Sequence, residues 1–312
     1  MNAPAQSKPR VLFVDDEPRI LTTMRMLFRS SYEVFLAESG QQALDLLKTQ
    51  VVDVIVSDQR MPGMTGIEML RAARELNPNA MRILLTGYSD LNAIIGSIND
   101  GEIFRFVNKP WANEELASTV EKAVTAARAS AAAAARPLID VQLPTGAAAP
   151  AILVLDDDPT VPSKIQDIIG NEFRVLGATT MEQAVSLLEK EHIGVIISDT
   201  RVQNNPVVNL IGTLKQHHPE LVSVILTDRA DAGQAIELIN QGQIYRFLTK
   251  PLHDNQCKIT VTSAQKQHQK LSQNPELFQR YEVQKGKNDT DQGANPTLLN
   301  RIRSLRTIVG KR

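Results

Sequence analysis

The stretch "VLFVDDEP" (Val11–Pro18) consists of four apolar residues followed by three acids and a proline. Such a short, fully apolar run is typical of a strand that is buried on both faces, as in a parallel sheet. Nearly the same stretch, "ILVLDDDP" (Ile152–Pro159), occurs 141 positions later. The sequence therefore indicates a parallel-sheet domain that is present twice, with acids at the end of the first strand of each copy.

Two further pairs of segments repeat with the same offset. "VIVSDQR" (Val54–Arg60) matches "VIISDTR" (Val195–Arg201), and "NDGEIFRFVNKP" (Asn99–Pro110) matches "NQGQIYRFLTKP" (Asn240–Pro251). Because the offset is constant over three separated segments, there is no net insertion or deletion between them. The chain is therefore predicted to hold two copies of one domain.

Within each copy, short β-branched runs alternate with helical patterns. In stretches such as "GQQALDLLKT" the apolar residues are spaced by three or four, as on one face of a helix. Alternating strands and helices predict an α/β fold with right-handed crossovers and a parallel sheet covered on both faces. In the first copy we expect strands at Val11–Val14, Glu33–Ala37, Val54–Ser57, Arg82–Thr86 and Phe104–Asn108.

Length and composition are consistent with two folded domains and exclude several classes of protein. The 312 residues, 42% of them hydrophobic, suffice for two cores. With 34 basic and 35 acidic residues, the chain has no overall attraction for nucleic acid. A single cysteine, Cys257, excludes an internal disulfide. We find neither a signal-peptide core nor an apolar run of about 20 residues, so we expect a cytoplasmic protein without a membrane span.

Composition also divides the chain into segments. The alanine-rich end of the first copy predicts a helix that runs to about Ala135, after which prolines indicate a linker, read as a spacer in preference to a signalling strut. We expect an N-terminal tail at 1–9, the first domain at 10–128, an Ala/Pro linker at 129–150, the second domain at 151–271 and a polar tail at 272–312.

The tail ends in a pattern typical of a short basic amphipathic helix. In "PTLLNRIRSLRTIVGKR", Leu298, Ile302, Leu305 and Ile308 recur every three or four residues between arginines and lysines. This helix could pack on its own domain or a second copy, contact a partner protein, or bind anionic lipid or nucleic acid. The sequence leaves these alternatives open.

The predicted strand ends carry the residues that suggest chemistry. In parallel α/β sheets the carboxyl ends of the strands meet at one edge, where ligands bind. Clustered carboxylates there need a cation, and oxygen ligands suit Mg²⁺; a lysine suits phosphate, and an aspartate can act as nucleophile toward phosphorus. The residues are Asp15, Asp16, Asp58, Thr86 and Lys109, and in the second copy Asp156, Asp157, Asp199, Thr227 and Lys250.

A structural reading of "DDEP" is the alternative. Acids favour the positive end of a helix dipole and proline suits the first turn, so the stretch also reads as a helix start. That reading does not account for Asp58, Thr86 and Lys109 at three other strand ends, nor for their recurrence in the second copy. We therefore favour a phosphate and metal site.

The set "VDDEP", "SDQRMPGMTG", "LLTGYSD" and "FRFVNKP" resembles the receiver domains of two-component response regulators. The resemblance covers about Arg10–Arg128 and Ala151–Leu271. It implies two doubly wound, flavodoxin-like domains in tandem, each with a five-stranded parallel sheet of order 2-1-3-4-5. The fold class is therefore α/β, with the short tail helix in addition.

The resemblance also implies residue roles. Asp58 would be the phospho-acceptor; Asp15, Asp16 and Asp58, with the backbone carbonyl of Arg60, would hold Mg²⁺. Thr86 and Phe106 would be the switch pair, and Lys109, followed by a cis peptide bond to Pro110, would contact phosphate. The corresponding residues of the second copy are the metal ligands Asp156, Asp157, Asp199 and Arg201 (backbone), the acceptor Asp199, and Thr227, Phe247 and Lys250.

The second copy departs from the first in three places. "MPGMTG" becomes "VQNNPV", Gly87 becomes Asp228, and Tyr88 becomes Arg229. A carboxylate beside the switch threonine would repel an entering phosphoryl group unless Arg229 neutralises it. Two readings stay open from sequence: Asp199 is a second, slower acceptor, or the copy is a pseudo-receiver.

The function implied by the resemblance is that of a response regulator without an output domain of its own. It would accept a phosphoryl group from a sensor histidine kinase or histidine phosphotransfer protein and signal through a partner protein or a homodimer. We expect no enzymatic activity beyond accepting and losing that group.

Residues 82–111 are closer to receivers joined to cyclic-di-GMP phosphodiesterases, which suggests a partner related to cyclic-di-GMP. The alternatives are a phosphorelay intermediate or phosphate sink, and a regulator that acts on DNA through the basic tail helix, although nucleic acid is disfavoured by the overall charge.

Overall fold

The computed structural model describes residues 7–87, 99, 102–134, 149–227, 239–240, 244–275, 277–278 and 296–304. The chain forms two compact units, Met1–Arg136 and Pro137–Arg312, which we describe separately. Several predicted features lie outside the described residues: Tyr88, Asp228, Arg229, most of the linker (135–148), Leu305 and Ile308.

The first unit has the predicted order of strands and helices. Its strands are β1 (Arg10–Val14), β2 (Glu33–Ala37), β3 (Val54–Asp58), β4 (Met81–Thr86) and β5 (Arg105–Asn108). Its described helices are α1 (Pro18–Phe28), α2 (Gly40–Leu47), α3 (Gly66–Leu76) and α4 (Asn113–Ala134). No predicted strand boundary is wrong by more than one residue.

All strand pairs of this sheet are parallel, in the order β2-β1-β3-β4-β5. The predicted order is therefore confirmed. The central strands β1, β3 and β4 are almost entirely buried, as their apolar runs predict. The Lys109–Pro110 bond is cis, as is Lys250–Pro251 in the second unit.

Local capping explains where α3 begins. The Thr65 side chain accepts from the Glu68 amide, and the Glu68 carboxylate accepts from the Thr65 amide, which together form a capping box. Directly after the cap, Gly66 passes close to β3: a Cβ built on Gly66 would lie 2.0 Å from the Asp58 carbonyl oxygen. The turn after β3 therefore depends on a glycine at this position.

We expect Gly66→Ala to lower the free energy of unfolding of the first unit by about 2 kcal/mol, because its methyl group meets rigid backbone. Gly40→Ala is the matched control, since its Cβ would meet the movable Sδ of Met64 at 2.9 Å. Denaturant unfolding followed by circular dichroism measures both. Equal losses in the two variants would contradict the close approach at Gly66.

The second unit repeats this sheet. Its strands are β6 (Ala151–Leu155), β7 (Val175–Ala178), β8 (Ile193–Ser198), β11 (Val222–Thr227) and β12 (Arg246–Thr249), in the parallel order β7-β6-β8-β11-β12. The helices described are α5 (Thr160–Ile169), α6 (Met181–Lys190), α7 (Val208–His217) and α8 (Asp254–Gln273). Each strand occupies the place of its counterpart in the first unit.

The loop after β8 forms a small hairpin that the sequence did not predict. Strands β9 (Arg201–Val202) and β10 (Asn205–Pro206) pair antiparallel. Gln203 (φ 50°) and Asn204 (φ 61°) form the two-residue turn between them. Positive φ at both central residues is typical of the type I′ turn, whose twist suits a tight hairpin.

The tail helix α9 (Pro296–Ser304) packs against α6 and α7 of the second unit. Leu298 and Ile302 are buried, as the amphipathic pattern predicts. The Arg301 guanidinium donates to both carboxylate oxygens of Glu189 at 2.8 and 2.7 Å and to the Ser186 hydroxyl at 3.0 Å. Of the alternatives left open, the structure favours packing on its own domain.

Within the described part of the chain, no helix combines the length and the apolar character that a membrane crossing requires.

Candidate functional site

An acidic cluster lies at the carboxyl edge of the first sheet. Asp15 and Asp16 follow β1, and Asp58 is the last residue of β3. One carboxylate oxygen from each lies within 4.8 Å of the others. Asp15 and Asp58 are buried, whereas Asp16 is only partly buried. The three predicted carboxylates are therefore brought together.

Lys109 supplies the positive charge of this cluster. Its Nζ lies 2.7 Å from Oδ1 of Asp58 and 3.5 Å from Oδ2 of Asp15. Burial by itself lowers the pKa of Lys109, but the hydrogen bond and charge of Asp58 and the charge of Asp15 outweigh it and raise that pKa. The lysine therefore stays charged. Burial raises the pKa of Asp15, although the Glu17 amide and Lys109 oppose this.

Backbone contacts position the cluster. The Glu17 amide donates to Oδ1 of Asp15 at 2.9 Å, and the Lys109 amide donates to the carbonyl of Thr86 at 2.9 Å. The Thr86 hydroxyl donates to the Gly87 carbonyl at 3.2 Å. Phe106 lies in β5, the strand beside Thr86, and is buried. Arg60, whose carbonyl was predicted as a ligand, lies exposed in the loop after β3.

This donor set fits a hard cation. Three carboxylates within 4.8 Å carry more negative charge than Lys109 alone balances. Among the residues that the structure describes, none donates a hydrogen bond to the Asp16 carboxylate, so it is available as a ligand. Oxygen ligands with room for water are what Mg²⁺ requires. The residues of the first unit are therefore suited to the predicted metal.

The corresponding residues of the second unit are arranged differently. Lys250 Nζ lies 2.7 Å from Oδ2 of Asp156 and 2.8 Å from Oδ2 of Asp199, so it bridges two carboxylates. Burial by itself lowers the pKa of Lys250, but these two contacts outweigh it and raise that pKa. Phe247 is buried, as Phe106 is, and Thr227 is the last residue of β11.

The predicted metal ligands of the second unit do not form a cluster. Among the described residues, only the carboxylates of the first unit come within 4.8 Å of one another as a group of three. Oδ1 of Asp157 accepts from the Gln203 amide at 2.6 Å, and Oδ1 of Asp199 accepts from the Thr200 amide at 2.6 Å. Asp156, Asp157 and Asp199 are therefore not grouped as the three carboxylates of the first unit are, and Asp157 contacts the hairpin instead.

A five-stranded parallel sheet with acids and a lysine at its carboxyl edge is the arrangement of a receiver domain, and this chain has two such sheets. A model of the response regulator receiver domain matches residues 11–121 and 152–262. The chain therefore belongs to this family and contains its domain twice. We call the two domains receiver 1 (residues 10–128) and receiver 2 (residues 151–271).

Three similar proteins share with this chain a stretch about as long as one receiver. The hydrogenase transcriptional regulatory protein HoxA of Cupriavidus necator is 41% identical over 116 residues, which are 37% of this chain and only 24% of HoxA. Sporulation initiation phosphotransferase F of Bacillus subtilis is 32% identical over 114 residues, which are 36% of this chain and 91% of that protein. A solved receiver domain of an HD domain-containing protein from Pseudomonas fluorescens is 33% identical, with a TM-score of 0.40, over 42% of this chain and 97% of that one.

Proposed function

We propose that the protein is a response regulator in which Asp58 accepts a phosphoryl group from a histidine kinase or a histidine phosphotransfer protein. The observation that carries this proposal is the position of Asp58. Its Oδ1 lies 2.7 Å from Lys109 Nζ, and Asp15 and Asp16 lie beside it. A buried carboxylate next to a fixed cation is positioned to attack phosphorus and to tolerate the charge that arrives with the group.

In the transfer, an oxygen of Asp58 forms the new bond to phosphorus. The nitrogen–phosphorus bond of the donor phosphohistidine breaks, and its electron pair returns to the imidazole, which then takes a proton from water. Lys109 balances the charge of the phosphoryl oxygens. Asp15, Asp16, Asp58 and the backbone carbonyl of Arg60 would hold Mg²⁺, whose charge further offsets that of the phosphoryl group.

The signal would pass from Asp58 to the surface through Thr86 and Phe106. The Thr86 hydroxyl now donates to the Gly87 carbonyl, and it would exchange this partner for a phosphoryl oxygen. Phe106 lies on the neighbouring strand and would move with it. The two arrangements differ in the surface they present, so phosphorylation shifts the population between them. The partner would be another protein, one candidate being related to cyclic-di-GMP, or a second copy of the chain.

We place the protein in the cytoplasm, with no catalysis beyond the acceptance and loss of this group. A phosphorelay intermediate is a second candidate, favoured by the match to sporulation initiation phosphotransferase F over 91% of that protein. Rapid return of the phosphoryl group to a histidine phosphotransfer protein would distinguish it. The DNA-binding alternative loses support because Arg301 is paired with Glu189.

The experiment is a comparison of self-association and partner capture with and without beryllofluoride, a phosphoryl mimic, in the presence of Mg²⁺. We expect beryllofluoride to change the mass in solution, measured by light scattering, or the set of captured proteins. In the Asp58→Asn control, beryllofluoride should change neither the mass in solution nor the set of captured proteins. Identical mass and identical partners in both states would contradict signalling through this site.

A further inference from the structure

One hydrogen bond to the second acid of the pair after the first strand is present in receiver 2 and has no counterpart in the described part of receiver 1. In receiver 2 the Gln203 amide, in the turn of the hairpin, donates to Oδ1 of Asp157 at 2.6 Å. Position 203 corresponds to Pro62 in receiver 1, and proline has no N–H to donate. Asp16, the counterpart of Asp157, is partly buried and accepts no hydrogen bond from the described residues. The same acid is therefore held in one receiver and available in the other.

A glycine lost from the loop explains why the chain takes this path. Both loops close with the same hydrogen bond, from Gly66 to the Gln59 carbonyl (3.0 Å) and from Val207 to the Thr200 carbonyl (3.1 Å). Val207 stands where Gly66 leaves no room for a Cβ. The backbone of receiver 2 therefore cannot follow that of receiver 1, and the hairpin forms instead.

Further contacts stabilise the hairpin. Asn204 takes the left-handed conformation at φ 61°, as does its counterpart Gly63 at φ 79°. The Arg201 guanidinium donates to the Asn204 carbonyl at 2.6 Å across the turn. A backbone N–H bonded to a carboxylate is a charge-assisted hydrogen bond, stronger than one between neutral groups. Metal binding by Asp157 would therefore cost the free energy of this hydrogen bond, whereas metal binding by Asp16 breaks no such bond.

The lysine completes the difference. Lys109 in receiver 1 lies close to one carboxylate and 3.5 Å from the other. Lys250 in receiver 2 lies within 2.8 Å of both Asp156 and Asp199. Its ammonium group thus offsets the negative charge of the two carboxylates that would ligate a metal ion. An entering cation would displace both the Lys250 bridge and the hairpin bond of Asp157.

We propose that receiver 2 is a locked receiver, in which the hairpin of residues 201–206 holds Asp157 and Lys250 takes the place of the metal ion. Receiver 2 then binds no Mg²⁺ at concentrations that fill receiver 1, and Asp199 takes up no phosphoryl group. Its conformation does not change with the phosphorylation of the chain. This inference rests on the function proposed for receiver 1, and its test separates the two.

The test counts metal ions bound by the full chain, using Mn²⁺ and electron paramagnetic resonance, since carboxylate sites accept Mn²⁺ as they do Mg²⁺. We expect one ion for the unchanged protein and at least about a tenfold loss of affinity for Asp16→Asn. The matched variant Asp157→Asn should still bind one ion with unchanged affinity. Two ions in the unchanged protein, or one ion fewer in Asp157→Asn, would overturn the lock.

A loop exchange tests whether the hairpin is the cause. Residues 202–207, "VQNNPV", are replaced by the "MPGMTG" of receiver 1 in the Asp16→Asn background. We expect the exchange to restore binding of one ion, whereas Gln203→Ala, which keeps the backbone N–H, restores none. If circular dichroism shows that the exchanged protein is folded and it still binds no ion, the hairpin is not the cause of the missing ion binding in receiver 2. If the unchanged protein binds no ion, the function proposed for receiver 1 is contradicted. The loop exchange would still show whether the hairpin prevents ion binding in receiver 2.

Discussion

The Asp58→Asn protein should take up no phosphoryl group from acetyl phosphate, whereas Asp199→Asn should take up as much as the unchanged protein. Asp58 is the carboxylate that lies beside both Lys109 and an acidic cluster suited to Mg²⁺. Removing a nucleophile lowers the rate of its reaction by a factor on the order of 10³ or more. Mass spectrometry of the intact protein measures the uptake.

The double variant is the control for this prediction. If Asp58→Asn retains uptake that disappears when Asp199→Asn is added, receiver 2 is not locked. If Asp199→Asn alone loses most of the uptake, the acceptor has been assigned to the wrong receiver. Asparagine has nearly the shape of aspartate, so thermal unfolding of each variant should show that both receivers stay folded.

The second large effect concerns the stability of receiver 2. Lys215 lies in α7 with its side chain buried, and its Nζ donates to the carbonyl of Leu221. Burial lowers the pKa of Lys215 from 10.5 to about 7, although the charge of Glu220 opposes the shift. His268 lies nearby, and burial lowers its pKa as well. A lysine in this position is costly when it is charged.

The pH dependence follows from the direction of this shift. Between pH 7 and 10.5 the unfolded chain holds a proton on Lys215 that the folded chain has released. The contribution of Lys215 to the free energy of unfolding therefore rises with pH over this window, and below pH 7 the full cost of burying the charge is present. At pH 7 that cost is on the order of 4 kcal/mol.

We expect Lys215→Met to stabilise receiver 2 by about 3 kcal/mol at pH 7, since it removes this cost but loses the hydrogen bond to Leu221, worth about 1 kcal/mol. The variant should also remove the rise in stability between pH 7 and 10.5. Denaturant unfolding at several pH values, followed by circular dichroism, measures both effects. Lys164→Met, on the exposed side of α5, is the matched control and should change neither. A variant that keeps the slope of the unchanged protein would contradict a neutral Lys215.

Most of the fold could be predicted because its signals are local. Apolar runs of three or four residues define β1, β3 and β4, and alternating helical patterns define the crossovers between them. The acidic cluster of receiver 1 was predictable for the same reason, since Asp15 and Asp58 directly follow or end buried strands. Packing of the tail helix on its own domain was one of several alternatives, because an apolar stripe on a helix does not identify the surface that it covers.

Buried charges were not predictable. Arg82 and Arg105 lie in neighbouring strands of receiver 1 with fully buried side chains, and Arg82 pairs with Glu102 at 3.3 Å. Lys215 belongs to the same group. A sequence pattern assigns such residues to the surface, because only the surrounding backbone carbonyls and acids show that their charge or hydrogen-bonding groups are satisfied.

Two copies of one α/β domain and the acids at their strand ends follow from the order of residues alone, because period and strand ends are properties of neighbouring residues. The strand order followed only from the resemblance to receiver domains. The state of each acidic site does not follow from the order of residues. Asp157 is held by the amide of Gln203, which lies 46 positions away, and Lys250 reaches Asp199 from 51 positions away. Those contacts depend on the path that the backbone takes once Val207 replaces a glycine, and steric exclusion of that kind exists only in the folded chain.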